Sequence, residues 1–275
     1  MKKIKKGDIV GRISYGGDIL FVVDKIIKAS NKKSFAILKG LTIRIQADAP
    51  IEDLELIEKR QIDENTRSIE NKVNRIIKNN KMIDKRVLYK NRSRGIVYTG
   101  KILHLDGDRN YTEKSARYYR EMGLNAVVKN ISENKQKYCI KQLLERYKPD
   151  ILVITGHDGM IKNNTGYNDI YNYRNSNHFI ETVTQARNWE KERGSLVIFA
   201  GACQSFFEAI MTSGADFASS PARVLIDFVD PLIVAGKLAI ADRHKYVTIH
   251  EIAPDLKEGT RGVGGIGAYG RKKTL

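Results

Sequence analysis

Cysteine is scarce: the 275-residue chain has two, Cys139 and Cys203. Two in a chain of this length do not make a disulfide framework. Finger-like Cys/His spacing is missing too, because the five histidines (His104, His157, His178, His244, His250) are scattered. No metal site and no cofactor are expected. Long apolar runs are also lacking, and nothing approaches the roughly 18 residues that would span a bilayer. The N-terminal MKKIKKGD leads into a charged, alternating segment without the apolar core of a secretory signal. The expectation is a cytoplasmic protein with no membrane partner. Neither an RNP-like aromatic motif nor a zinc module is present. The net charge of +16 therefore bears on partners and not on fold; nucleic acid is allowed by it but not favoured.

What is there suffices for globular cores, with 41% hydrophobic and 8% aromatic residues. Residues 1–58 carry short β-branched alternations (KIKKGDIVGRI, DILFVVDKIIK, SFAILKGLTIRI, DLELI) broken at YGGD, SNKK and ADAP. Evenly spaced short strands with turn signals predict a small SH3- or Tudor-like β-barrel. Residues 59–95 are polar, lack proline and hold Ile, Val and Leu at helical spacing, which predicts a helical linker. It ends in the basic loop Asn91-Arg92-Ser93-Arg94-Gly95. From residue 96 to 275 the pattern becomes alternating strands and helices, with apolar strands at 101–105, 125–128, 150–155 and 196–200. Nearly continuous apolar strands between helices mean a mainly parallel α/β sheet covered on both faces. Chemistry in such sheets gathers at the carboxyl ends of strands.

Three strand ends carry polar groups: His104 with Asp106 and Asp108, then Gly156-His157-Asp158-Gly159, then Gly201-Ala202-Cys203-Gln204-Ser205. A thiol is a poor nucleophile at neutral pH unless a base or a positive field makes it a thiolate. His157 can be that base for Cys203, and a helix starting near Ser205 would favour the anion further. Each residue also has an ordinary reading, Cys203 as a small buried hydrophobe and His157 as a loop histidine. Cys139 fits the ordinary reading well, mid-helix beside Ile140 and Leu143. The amides of Gly159 and Cys203 are candidate oxyanion donors, and Asp106, Asp108 and Asp158 lie next to the site.

An apolar strand followed by His157 and Gly159, then another followed by Ala202-Cys203, resembles the caspase, gingipain, legumain and clostripain group. That group usually has His-Gly directly, where this chain has His157-Asp158-Gly159. A resemblance covering nearly the whole chain is carried by GDIVGRISYGGDILF, KILHLDGD, KPDILVITGHDG, LVIFAGACQSFFEAI, ADFASSPARVLI and GVGGIGAYGR. These segments look like the YabG sporulation-specific cysteine peptidases of spore-forming Firmicutes. The resemblance implies a caspase-like fold and a Cys203–His157 catalytic pair. It also implies cleavage after basic residues, chiefly arginine, in spore coat and germination-related precursors. The place implied is the mother-cell cytoplasm of a sporulating bacterium, or the spore coat.

An arginine pocket needs a carboxylate to meet the guanidinium. Asp216, Asp227 and Asp230 follow Cys203, and Asp227 and Asp230 are preferred because they lie where later loops should wall the pocket. Arg92 and Arg94 offer a linker site for self-cleavage. The glycine-rich tail GTRGVGGIGAYGRKKTL lacks the strand-to-helix context of a phosphate loop and is expected to be flexible, with a strand-edge or pocket-lining role as the alternative. Two other classes of function compete: an RNA- or polyanion-binding protein with an inactive α/β domain, and a Cys/His acyl transferase or esterase.

Overall fold

The computed structural model describes residues 3–28, 34–79, 97–161, 166–190 and 195–274. The basic loop with Arg92 and Arg94 lies outside them. Strands β1 (Ile9–Arg12), β2 (Phe21–Lys28), β3 (Ser34–Gly40), β4 (Gln46–Pro50) and β5 (Leu54–Leu56) form an antiparallel sheet of order β4-β3-β2-β1-β5. Period-2 alternation puts Val10, Phe21, Val23, Ala36 and Leu38 on its buried face. A closed barrel is expected from the sequence, but among the described residues no pairing joins β4 to β5. β5 is three residues long and β4 ends at Pro50, a residue that cannot donate to a ladder and belongs at an edge. The sheet's core is completed from elsewhere in the chain, since Cys203 and Ile226 pack in the same apolar cluster.

Helix α1 (Lys59–Asn79) follows, and Val73 joins the core of the larger part. That part is built on β7 (Ile102–Asp106), β8 (Ala126–Asn130), β9 (Ile151–Thr155), β10 (Val197–Ala200) and β11 (Phe217–Ser219). These strands run parallel in the order β11-β10-β9-β7-β8. Between them lie α2 (Arg109–Glu121), α3 (Glu133–Tyr147), α4 (Ser176–Trp189) and α5 (Phe207–Thr212), and α6 (Asp230–Ile240) comes after. Alternate residues feed two cores. Ile102, Ile151, Val153, Val197 and Phe199 pack on one side with Tyr111, Tyr118, Leu232 and Leu238. Leu103, Leu105, Leu152, Ile154 and Ile198 pack on the other with Ile140, Leu144, Phe179 and Val183. Such two-sided burial is why the strands read as unbroken apolar runs.

Small pairs complete the fold: β6 (Val97–Tyr98) with β15 (Lys273–Thr274), and β12 (Tyr246–Val247) with β14 (Ala268–Tyr269). Strand β13 (Val263–Gly265) adds antiparallel to β11. The glycine-rich tail expected to be flexible is thus partly a sheet edge. Its glycines serve close packing, for a Cβ on Gly265 would stand 2.5 Å from the Phe217 ring and one on Gly264 2.7 Å from Phe207.

Candidate active site

The carboxyl ends of β7, β9 and β10 bring Asp106, His157 and Cys203 to one edge of the parallel sheet. All three are fully buried. Gly201, with φ 109°, turns the chain out of β10. Helix α5 begins at Phe207, so Cys203 stands in the preceding turn and not on the helix itself. Its thiol faces Ile226, accepting from the amide at 3.2 Å and donating to the carbonyl at 3.5 Å. The His157 ring stacks on Tyr111, with centroids 5.1 Å apart. Its Nε2 lies 3.4 Å from the Gly40 carbonyl oxygen, and its Nδ1 makes no hydrogen bond; the Asp108 carboxylate is 3.9 Å away. Among the described residues no hydrogen bond joins His157 to Cys203.

The N-terminal sheet fills the space between them. Residues 42–46, linking β3 to β4, lie extended along the site. On one side they run antiparallel to residues 226–228. The Phe228 amide donates to the Thr42 carbonyl (3.2 Å), the Arg44 amide donates to the Ile226 carbonyl (3.3 Å), and Ile43 stands opposite Asp227. On the other side Ile45 stands opposite Asp158, and the Gln46 amide donates to the Asp158 carbonyl (2.7 Å). The Arg44 carbonyl accepts two amides, Asp158 at 3.1 Å and Cys203 at 3.2 Å. Two convergent amides on one carbonyl oxygen, one of them from a cysteine, are the geometry of an oxyanion hole.

The Arg44 side chain is fully buried. Its Nη1 donates to Asp106 Oδ2 at 2.8 Å, its Nη2 to the Phe228 carbonyl at 3.0 Å, and the guanidinium sits 5.0 Å from the Tyr111 ring centroid. Burial alone would raise the Asp106 carboxyl. Arg44, His104 and the Asp108 amide outweigh it and hold the group below the usual carboxylate range. Thr155 donates to the same oxygen at 2.9 Å. His104 lies behind this pair, its Nε2 2.7 Å from Thr155 Oγ1 and its Nδ1 3.2 Å from the Tyr119 hydroxyl. Burial drives its imidazole down to about 3, so it stays neutral.

The three carboxylates expected to read arginine are engaged otherwise. Asp227 pairs with Lys72 at 2.6 Å and lies 3.8 Å from Lys257, and Asp230 lies 3.5 Å from Lys72. Asp216 pairs with Arg187 at 3.0 Å and accepts the Ile198 amide in the middle of the sheet. What the 226–228 segment gives the arginine is backbone: the Ile226 and Phe228 carbonyls.

Of the two amides expected to bind an oxyanion, that of Cys203 donates to the Arg44 carbonyl, whereas that of Gly159 donates to the Asp158 side chain at 2.8 Å. The second amide on the Arg44 carbonyl belongs to Asp158, the residue directly after His157. Its carboxylate turns inward and accepts from Gly159, the Asn175 amide, Ser176 and Ser205. Burial outweighs these donors and pushes the carboxyl above the usual range. The group pins the His157 turn to both the Cys203 turn and the start of α4. Removing an acceptor that serves four donors, three of them buried, leaves them unsatisfied. Asp158→Ala is accordingly expected to lower stability by about 3 kcal/mol, read as a shift in urea midpoint. A loss below about 1 kcal/mol would remove the pinning role.

Glu133 at the start of α3 is a second buried support, accepting the His157 amide at 2.9 Å. Gly107 and Gly156 leave room for it, since a Cβ on either would fall within 2.3 Å of its carboxylate. Arg44, Tyr111 and Glu133 are missed by sequence reasoning. The available signal for Arg44 is a lone arginine between isoleucines in TIRIQ. Among the described residues, no group of three His, Cys, Asp or Glu side chains is arranged to hold a metal ion. Among the described residues, no helix is long and apolar enough to cross a membrane.

Comparison with known proteins gives a consistent picture. A family model described as YabG peptidase U57 matches residues 5–275. The chain is similar to the sporulation-specific protease YabG of Bacillus subtilis (strain 168). The two are 35% identical over 274 residues, covering 96% of this chain and 94% of that protein. No solved structure matches.

Proposed function

Because the chain belongs to the YabG peptidase U57 family, we propose that it is a cysteine endopeptidase cutting proteins after arginine, with Cys203 as nucleophile and His157 as general base. One observation carries the proposal: an arginyl carbonyl held by the Asp158 and Cys203 amides, with its guanidinium on the buried Asp106. Residues 226–228 would receive the acyl side of a substrate as an antiparallel strand, the mode in which main-chain bonds give affinity and pockets give specificity. Asp106 takes the role of arginine-binding carboxylate in this reading, in place of Asp227, Asp230 or Asp216. A caspase-like sheet with an N-terminal β module packed against it and a helical linker is the fold assignment that goes with it.

The chemistry follows from the neutral pair. With the cleft filled, burial drives the Cys203 thiol up to about 12 and the His157 imidazole down to about 4. Both are uncharged at neutral pH, so attack requires the thiol proton to pass to His157 as the sulfur meets the carbonyl. The developing oxyanion is stabilised by the Asp158 and Cys203 amides. His157 then protonates the leaving amine, and water hydrolyses the thioester. Asp108, 3.9 Å from Nδ1, would steady the imidazolium during this transfer.

His157→Ala should lower kcat on an arginyl peptide by at least about 100-fold, the scale of acid–base catalysis. His104→Ala, which acts on the pocket through Thr155, should cost far less. Comparable turnover in the wild type and His157→Ala would remove the base. Similarity to the sporulation-specific protease of Bacillus subtilis makes sporulation the setting we propose. The proposed substrates are spore coat and germination-related precursors, met in the mother cell or at the coat; their processing in cells carrying Cys203→Ala tests this.

A further inference from the structure

The chain in the cleft marks a path that continues beyond the Arg44 carbonyl, on the side where a substrate's leaving group would lie. Ile45 stands opposite Asp158 in parallel register, and the Gln46 amide donates to the Asp158 carbonyl. Main-chain bonds of this kind carry any sequence in the same way. Gly159 keeps the path open, because a Cβ there would stand 2.4 Å from the Gln46 carbonyl oxygen. Two side chains on this path are met by the residues just before α4. Asn175 Nδ2 donates to Gln46 Oε1 at 3.1 Å, and Arg174 Nη2 pairs with Asp48, four residues after Arg44.

Arg174 is held ready for a carboxylate. Its amide donates to the Gly159 carbonyl at 3.1 Å, and its neighbour Tyr173 stands opposite Met160 in antiparallel register. Its side chain is 17% exposed, and its Nε is buried and makes no hydrogen bond. A guanidinium offers Nε and Nη2 as a two-pronged fork for a carboxylate. Asp48, tied into β4 by its pairing with Ile37, engages Nη2 and leaves the other prong unused. A cavity of about 350 Å³ opens beside the pair, walled on the α/β side by Met160, Arg174, Gln204 and Leu225. The other cation at this cavity, Arg12, belongs to the N-terminal sheet and is held by Asp53 at 3.1 Å. We infer that Arg174 forms a leaving-side subsite that selects protein substrates with an acidic residue four positions after the cleaved arginine. The inference rests on the protease reading above and adds sequence preference on the side of the bond that Asp106 does not read.

The test compares arginyl peptides that differ only in the fourth residue after arginine, with Glu, Gln or Lys there. Results are read as kcat/KM ratios on the full-length protein, so that competition from residues 42–48 for the groove cancels. The wild type should favour Glu over Gln by about 5-fold, the upper end for a partly exposed ion pair, and should cut the Lys peptide least. The preference should vanish when the Glu is moved one residue earlier, since neighbouring residues of an extended chain point to opposite sides. In Arg174→Gln the Glu-to-Gln ratio should fall to about 1, and in Arg174→Glu the order should reverse in favour of Lys. The wild-type series decides by itself if a variant fails to fold. Equal kcat/KM for the three peptides overturns the subsite and leaves the protease reading standing, whereas a wild type that cuts no arginyl peptide overturns both. An acid preference that ignores position comes from the net charge of +16, and one that survives Arg174→Gln comes from another residue; either overturns the inference.

Discussion

Cys203→Ala is expected to abolish cleavage of an arginyl peptide, with kcat falling by about 10⁴–10⁶-fold, the range over which hydrolase nucleophiles act. The residue is buried at the mouth of β10, its own amide holds the carbonyl that the thiol would attack, and no other cysteine approaches the cleft. Cys139, half-buried on α3, is the internal control, and Cys139→Ala should keep full activity. The alanine variant loses two weak sulfur contacts to Ile226 and should remain folded, which its unfolding curve will show. Activity in Cys203→Ala above a trace would end the cysteine mechanism.

Asp106→Asn should reduce kcat/KM for arginyl peptides by about 10²- to 10⁴-fold, since removing one partner of a buried ion pair costs about 3–5 kcal/mol. A neutral-residue peptide should be affected far less, because only the guanidinium needs the charge. Asp227→Asn and Asp230→Asn should change arginine preference little, as both carboxylates already face Lys72. The comparison uses kcat/KM ratios between the two peptides, so that any loss of stability from orphaning Arg44 cancels. An unchanged arginine-to-neutral ratio in Asp106→Asn would return the pocket to other carboxylates.

The α/β part was legible because burial on both faces writes itself as apolar runs. The strands expected at 101–105, 150–155 and 196–200 appear as Ile102–Asp106, Ile151–Thr155 and Val197–Ala200. The polar residues just beyond those ends therefore stood out, and they include His157, Cys203 and Asp106. The roles within the site were not legible. Which amide meets a carbonyl depends on the orientation of a turn, so Gly159 looked suitable although its amide is engaged by the Asp158 side chain. The Arg44–Asp106 pair that suggests the arginine pocket spans 62 residues, which no local pattern reveals. The acidic residues after Cys203 drew attention by position, while their actual partners, Lys72 and Arg187, come from distant helices. For the glycine-rich tail the alternative reading, a strand edge, is the one the fold bears out. Glycines read as freedom in sequence, but here they permit β13 to approach Phe217 and Phe207.

The most direct measurement of the central claim is covalent trapping. The protein would be treated with a peptidyl-arginine electrophile, and with an otherwise equal probe ending in aspartate, and the adduct mapped by peptide mass. The structure-based account predicts one adduct, on Cys203 Sγ, from the arginine probe alone, much weakened in His157→Ala and in Asp106→Asn. An enzyme that is inactivated while Cys203 stays unmodified, or that takes the aspartate probe equally well, would contradict it.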